Sequence, residues 1–310
     1  MITTTEGHLA QREAKLIAAL SRLQSVVVAY SGGVDSSLLA YYARKTLGAR
    51  ARIVIAVSPS LAADELQEAR EQSRRFGWEL CEVFTDEVDN PDYRKNDGQR
   101  CYFCKGALFE AMDAMAKREN IENLAYGANL ADLGDFRPGQ RAAQEYNVIS
   151  PLQEAELSKE EIRELARRAG LPAWDKPQSA CLSSRFPTFE QVTPERLKIV
   201  ETAEIAMRKL GFKGFRVRFH SLNKSGSSQA SRSAGQSAVN SKLEDAQEFA
   251  LARIELSSED LRRVSSDSSL REQLGAAVKQ AGFSFVTIDI EGYRQGSSNI
   301  AIPVEMTRRG

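Results

Sequence analysis

The chain of 310 residues reads as an α/β protein, with a parallel-sheet domain over residues 1–187 and a smaller α+β domain over 188–310. Three observations predict this. Short apolar, β-branched runs at 26–30, 52–57, 80–84 and 123–127 alternate with stretches of helical spacing, the pattern of strands buried on both faces and joined by crossover helices. Beyond about residue 188 the period changes to two: Phe215, Val217 and Phe219 alternate with Arg216, Arg218 and His220. The length also agrees with two domains of ~150 residues each.

The elements follow in order. Leu9, Ala14, Leu16, Ile17, Leu20 and Leu23 fall near helical spacing before the first strand, at 26–30. Residues 31–37 turn the chain into a helix over 38–47. A strand at 52–57, a helix at 62–76 and a strand at 80–84 come next. Polar residues 85–100 precede Cys101-Tyr102-Phe103-Cys104 and a helix to about 117. After the strand at 123–127, a polar loop holding Asn129, Asp132, Asp135 and Arg137 is placed at the carboxyl edge of the sheet, where such folds bind ligands. A fifth strand is expected at 148–152. Ser158-Lys159-Glu160-Glu161 is a capping box opening a helix that ends before Gly170. Residues 171–187 hold three prolines and no period, which sets the domain change. Thr193-Pro194 begins a helix to 210. The second domain continues with strands at 215–220, 250–256 and 283–290 and a helix over 258–281. Residues 221–246, rich in Ser and poor in large apolar side chains, read as a disordered insertion.

Ser31-Gly32-Gly33-Val34-Asp35-Ser36-Ser37 carries the first chemistry. A strand that passes through a Gly-rich turn into a helix N-terminus aims free N–H groups and the positive end of the helix dipole at one spot, which suits phosphate. The loop is not of the GxxxxGK[ST] type. It resembles the Ser-Gly-Gly-x-Asp-Ser loop of ATP pyrophosphatases. That resemblance implies binding of the ATP pyrophosphate with Mg²⁺ and formation of an adenylate.

Basic and acidic residues balance at 42 each, which argues against nucleic acid as a partner. No apolar run approaches the ~20 residues of a membrane span. Residues 1–11 lack a signal peptide's apolar core, so a cytoplasmic location is expected, where four cysteines stay reduced or carry chemistry. Cys81 lies inside a strand and reads as core. Cys101-x-x-Cys104 alone fits a redox pair, half a metal site or two buried small residues. Cys181, in a loop expected to return to the same sheet edge, makes a third thiol. Three thiols suit an iron–sulfur cluster with one open iron, or a zinc site closed by His220 or His8.

Taken with the phosphate loop, five further stretches resemble the LarE family across nearly the whole chain. These are Asp135-Phe136-Arg137-Pro138-Gly139, Ala180-Cys181-Leu182-Ser183-Ser184-Arg185-Phe186-Pro187, Arg216-Val217-Arg218-Phe219-His220, Ala252-Arg253-Ile254-Glu255 and Gly292-Tyr293-Arg294. The resemblance implies ATP-dependent sulfur transfer to pyridinium-3,5-biscarboxylic acid mononucleotide, a small nucleotide substrate, in nickel-pincer cofactor synthesis for lactate racemase. It also implies a homo-oligomer, by family precedent a hexamer, and leaves the sulfur donor open. One form of the family sacrifices the sulfur of a single Cys. The other binds a [4Fe–4S] cluster on three. Aligned on Ser-Ser-Arg-Phe-Pro, the sacrificial position is Ala180, with Cys181 one residue later. With Cys101 and Cys104 present, the cluster form is expected, and sacrifice of Cys181 or a tRNA thiolase of the same superfamily are the alternatives. The resemblance further implies Cys101, Cys104, Cys181, Asp35 and Glu204 as catalytic, and Ser31, Gly32, Gly33, Asp35, Ser36 and Ser37 at ATP. Ser184, Arg185, Arg216, Arg218, Glu255 and Arg294 are implied at the substrate, with Asp135 and Arg137 in the sheet-edge loop added to them. Lys105 and Lys176 are weaker site expectations.

Overall fold

The structure is a computed structural model that describes residues 2–134, 138–177, 180–222 and 249–294. It forms two compact units. The first runs to Ser183 and takes in Gln191–Pro194; the second comprises Ser184–Glu190 and the described residues from Glu195 to Arg294.

The first unit opens with helix α1 (Ile2–Ser21), strand β1 (Val26–Ala29), helix α2 (Val34–Leu47), strand β2 (Ala51–Val57), helix α3 (Ala63–Phe76) and strand β3 (Leu80–Phe84). It continues with the short helix α4 (Pro91–Arg94), helix α5 (Arg100–Glu119), strand β4 (Asn123–Tyr126), α6 (Pro138–Glu145), α7 (Pro151–Glu154) and α8 (Lys159–Arg168). The four strands are all parallel, in the order β3-β2-β1-β4, with Val28 level with Ile53 on one side and Ala125 on the other. Pairing a strand on each edge buries β1 completely, which is why Val26–Ala29 can be apolar at every position. Val26, Val28, Ile53 and Ile55 face Leu16 and Leu20 of α1, Leu38 and Leu39 of α2 and Ile162 and Leu165 of α8. Val27, Ala29 and Val54 face Phe109, Met112 and Met115 of α5 and Ala142 and Ala143 of α6. Each fully buried Val or Leu contributes about 1.5–3 kcal/mol, so these two layers hold the carboxyl edge of the sheet rigid. The α/β parallel sheet expected from the alternating runs is the fold observed.

Three local expectations need correction. The strand expected at 148–152 is a single parallel bridge, Ala125 with Ile149, because Pro151 has no N–H for a ladder and instead starts α7. Cys101 and Cys104 lie inside the first two turns of α5, not in a loop before it. Cys81 is half-buried at the sheet edge against the Phe109 layer, not enclosed in the core.

The second unit holds helix α9 (Pro194–Lys209), strands β5 (Arg216–Leu222) and β6 (Phe249–Glu255), helices α10 (Ser258–Ser266) and α11 (Ser268–Gln280), and strand β7 (Phe285–Ile288). The order is β5-β6-β7, antiparallel then parallel. Phe219 stacks on Phe186 at 5.2 Å and lies 5.7 Å from Phe283, centring the core of this unit. The single helix expected over 258–281 is two: Asp267 adopts an extended backbone and its side chain accepts from Leu270 N, capping α11. Ser221 and Leu222, read as the start of the insertion, belong to β5. Its residues 223–246 lie outside the described residues, as do Asp135 and Arg137.

Candidate active site

The β1–α2 turn sits at the carboxyl edge of the sheet. Gly32 has φ +73°, a conformation that a residue with a Cβ rarely adopts. Ser36 Oγ lies 3.1 Å from both Ser31 N and Gly33 O, accepting from the first and donating to the second. Ser36 therefore holds the loop's shape. No side chain caps the N-terminus of α2, whereas Ser158, Ser257 and Asp267 cap α8, α10 and α11. The uncapped N–H groups and helix dipole suit a phosphate.

Gly127, just past β4, packs directly on this turn. A Cβ there would lie 2.7 Å from Ser36 N and 2.9 Å from Asp35 C. Glycine is required for that approach. Asp35 Oδ2 pairs with Lys159 Nζ from α8 at 2.5 Å, while Asp35 Oδ1 is buried with no hydrogen-bond partner. Asp35, Lys105, Gly127, Asn129, Asp132 and Lys159 line a cleft of about 350 Å³. Lys105 Nζ lies 4.8 Å from the centre of the Tyr126 ring. Lys176 instead pairs with Glu68 at 2.8 Å and Glu65 at 3.4 Å, beside a second cleft that touches Gly32.

The thiols gather in the same unit. Cys101 and Cys181 are exposed and Cys104 is half-buried, its thiol enclosed. Burial pushes the Cys104 thiol far above its ordinary value, and the nearby Cys181, Glu87 and Cys101 add to this while Arg100 opposes it. Tyr93, fully buried, is likewise pushed up by burial and then by Cys181 and Cys104. Cys104 thus senses Cys181 across 77 residues of chain, which no local pattern in the sequence encodes. Glu87, buried, accepts from Ser58 Oγ at 2.6 Å and Ser60 Oγ at 3.0 Å. Among the described residues no group of three His, Cys, Asp or Glu is arranged to hold a metal ion. The three thiols match an iron–sulfur cluster in donor chemistry, not in arrangement. His8 pairs with Glu161, and His220 Nε2 accepts from Arg253 Nε at 3.2 Å.

The second unit builds a charged strand face. Arg185 makes a bidentate pair with Glu204 at 2.9 and 3.0 Å, and donates to Ser184 Oγ at 3.1 Å. Arg218 makes another with Glu255 at 3.0 and 2.8 Å, and donates to Ser184 O at 2.7 Å. Arg216 has no carboxylate partner among the described residues; it lies 5.1 Å from the centre of the Tyr293 ring. Burial, and then Arg185, lower its guanidinium from its ordinary value. Arg294 is exposed and paired with Glu291.

No family model matches the chain. A pyridinium-3,5-bisthiocarboxylic acid mononucleotide synthase of Lactiplantibacillus plantarum is 30% identical over 292 residues, covering 94% of this chain and 95% of that protein. The chain belongs to the LarE family. An uncharacterized protein of Synechocystis is 40% identical over 89% of this chain and 92% of its own length. A glutamine-hydrolyzing GMP synthase chain of Archaeoglobus fulgidus is 27% identical over 57% of this chain and 62% of its own. That match and the four-stranded parallel sheet identify the first unit as an ATP pyrophosphatase fold. In this LarE-family chain, sequence reasoning named the phosphate loop, the thiols and the arginine strand. It gave no site role to Lys159, Gly127, Arg100 or Tyr93, whose relevance depends on contacts between elements distant in sequence. No described helix is long and apolar enough to cross a membrane.

Proposed function

We propose that the protein is an ATP-dependent sulfurtransferase that converts a carboxylate of pyridinium-3,5-biscarboxylic acid mononucleotide to a thiocarboxylate. The observation that carries this reading is the presence, in one ATP pyrophosphatase unit, of an uncapped phosphate loop and of Cys104 with the Cys101 and Cys181 thiols near it. The relative whose name describes a bisthiocarboxylate mononucleotide synthase supports the substrate class.

The residues divide the work. The N–H groups of the Ser31–Gly32–Gly33 turn bind the ATP pyrophosphate. Asp35, with its unpartnered Oδ1, would hold the Mg²⁺ that screens the phosphate charges. Lys159 and Lys105 add positive charge at the cleft. The substrate carboxylate attacks the α-phosphorus and expels pyrophosphate, which replaces a poor oxide leaving group with AMP. Hydrosulfide presented at Cys101, Cys104 and Cys181 then attacks the acyl carbon, and AMP departs. Cys101, Cys104 and Cys181 are the residues that would hold a [4Fe–4S] cluster, once drawn closer than they lie here, and the cluster would supply an open iron for exchangeable sulfide. Arg216 recognises the nucleotide phosphate, with Arg185 and Arg218 fixed beside it by Glu204 and Glu255. Ser184 and Arg294 complete the substrate contacts by resemblance.

A second reading, sacrifice of the Cys181 sulfur, is favoured by that thiol's exposure. Anaerobic purification with iron and sulfide assay separates the two. Iron and sulfide in near-equal amounts are expected, whereas a protein free of both whose Cys181 loses its sulfur after one turnover supports sacrifice. Incubation with ATP and either the small acid or bulk tRNA tests the substrate class, and thiolated tRNA with an unreacted acid would overturn the proposal.

A further inference from the structure

We propose that Arg100 is the positioning residue that brings Cys181 to the helix turn bearing Cys101 and Cys104. The proposal rests on the reading that these thiols act as one sulfur-carrying site.

Arg100 is the first residue of α5, directly before Cys101. Its Nη1 donates to Ser183 O at 2.8 Å and to Asn96 Oδ1 at 2.5 Å. Ser183 lies two residues after Cys181 and is fully buried. Two further bonds secure the same segment: Ser183 Oγ lies 2.6 Å from Tyr93 Oη, and Leu182 N donates to Ser60 O at 2.9 Å. Residues 182–183 are therefore tied to the turn after β2, to α4 and to α5. Of these ties, the one from Arg100 reaches the thiol-bearing helix itself. Cys181 is one peptide bond from this fixed segment, so its approach to Cys104 depends on it. A guanidinium suits the task because the two N–H bonds of its planar Nη1 serve Ser183 O and Asn96 Oδ1 at a fixed angle, which a rotating lysine ammonium does not preset.

The test uses the full-length protein, anaerobic and metal-free, with the disulfide-forming oxidant diamide and peptide mapping by mass spectrometry. Mapping separates the Cys104–Cys181 disulfide from the Cys101–Cys104 disulfide within the helix. Losing one charge-assisted hydrogen bond corresponds to about tenfold, so Arg100→Ala is expected to slow the Cys104–Cys181 cross-link by that factor. The Cys101–Cys104 cross-link should keep the wild-type rate. Arg100→Lys should fall between, and Tyr93→Phe should slow the same cross-link without altering the other. A wild-type Cys104–Cys181 rate in Arg100→Ala overturns the proposal. So does equal slowing of both cross-links, which marks a general loss of helix structure. The readout needs neither ATP nor substrate. If the wild-type protein fails to thiolate the acid, the functional reading fails while the cross-link result still decides the role of Arg100.

Discussion

Lys159 Nζ lies 2.5 Å from Asp35 Oδ2, joining the start of α8 to the phosphate loop across 124 residues. The pair leaves Asp35 Oδ1 as the unengaged face of the carboxylate. Asp35→Asn keeps the size of the side chain and removes the charge. It is expected to lower AMP formation by about a hundredfold, the scale of a misplaced reacting group, with the melting temperature little changed. Lys159→Ala should raise the KM for ATP and cost about 1 kcal/mol or less of stability. Steady-state kinetics against Mg²⁺ concentration, with thermal melts of both variants, check this.

Gly127→Ala places a methyl group 2.7 Å from Ser36 N, a backbone atom that cannot yield without moving the loop. The expected cost is about 1–3 kcal/mol, typical of overpacking. Because the strain falls on the first turn of α2, ATP affinity should drop as well. Urea unfolding and calorimetric ATP titration measure the two effects, and an unchanged ATP affinity would contradict the close packing of β4 on the loop.

Much of this arrangement was legible in the sequence. Four apolar runs marked the four strands, and Ser31–Ser37 marked the uncapped turn at the carboxyl edge of the sheet, because both signals are local. What was missed is mostly nonlocal. Lys159 looked like part of a capping box, which it adjoins, and its ion pair follows only from the packing of α8 against α2. The placement of Cys101 and Cys104 within α5 was missed because Tyr102 and Phe103 gave no helical period. The break at Asp267 had a local signal, an Asp before Ser268-Ser269, that the continuous apolar spacing outweighed. The sequence alternation put Arg216 and Arg218 on one strand face, but only the fold distinguishes the two. One is bound to Glu255 and the other is not.

That distinction yields a paired prediction. Glu255→Ala leaves Arg218 buried without its carboxylate and should cost about 3–5 kcal/mol, as for other broken buried pairs. Arg216→Ala should change stability by about 1 kcal/mol or less and act instead on the KM for the mononucleotide. Chemical denaturation and steady-state kinetics on both variants provide the comparison. A large loss of stability in Arg216→Ala with an unchanged KM would assign it a structural role.

Burial pushes the Tyr30 hydroxyl up to about 12, with Glu68 a smaller contributor. It also raises Tyr42, which donates to Glu13 at 2.6 Å. Raised values in the folded state mean that the folded protein holds these protons more tightly than the unfolded chain. Their contribution is fully present below the ordinary tyrosine value of 10.0 and is lost as pH rises from there through about 12. Urea midpoints should therefore fall between pH 10 and 12, and Tyr30→Phe should make that fall shallower. A slope identical to wild type in Tyr30→Phe would remove Tyr30 as its source.

The central claim is that ATP activates a carboxylate and that sulfur presented at the three thiols replaces AMP. The most direct measurement is mass spectrometry of an anaerobic reaction holding protein, MgATP, sulfide and pyridinium-3,5-biscarboxylic acid mononucleotide, following AMP, the acid and Cys181 together. The account predicts one AMP per thiocarboxylate formed, over more than one turnover, with Cys181 intact. AMP without sulfur incorporation, or no AMP while the acid remains unchanged, would contradict it.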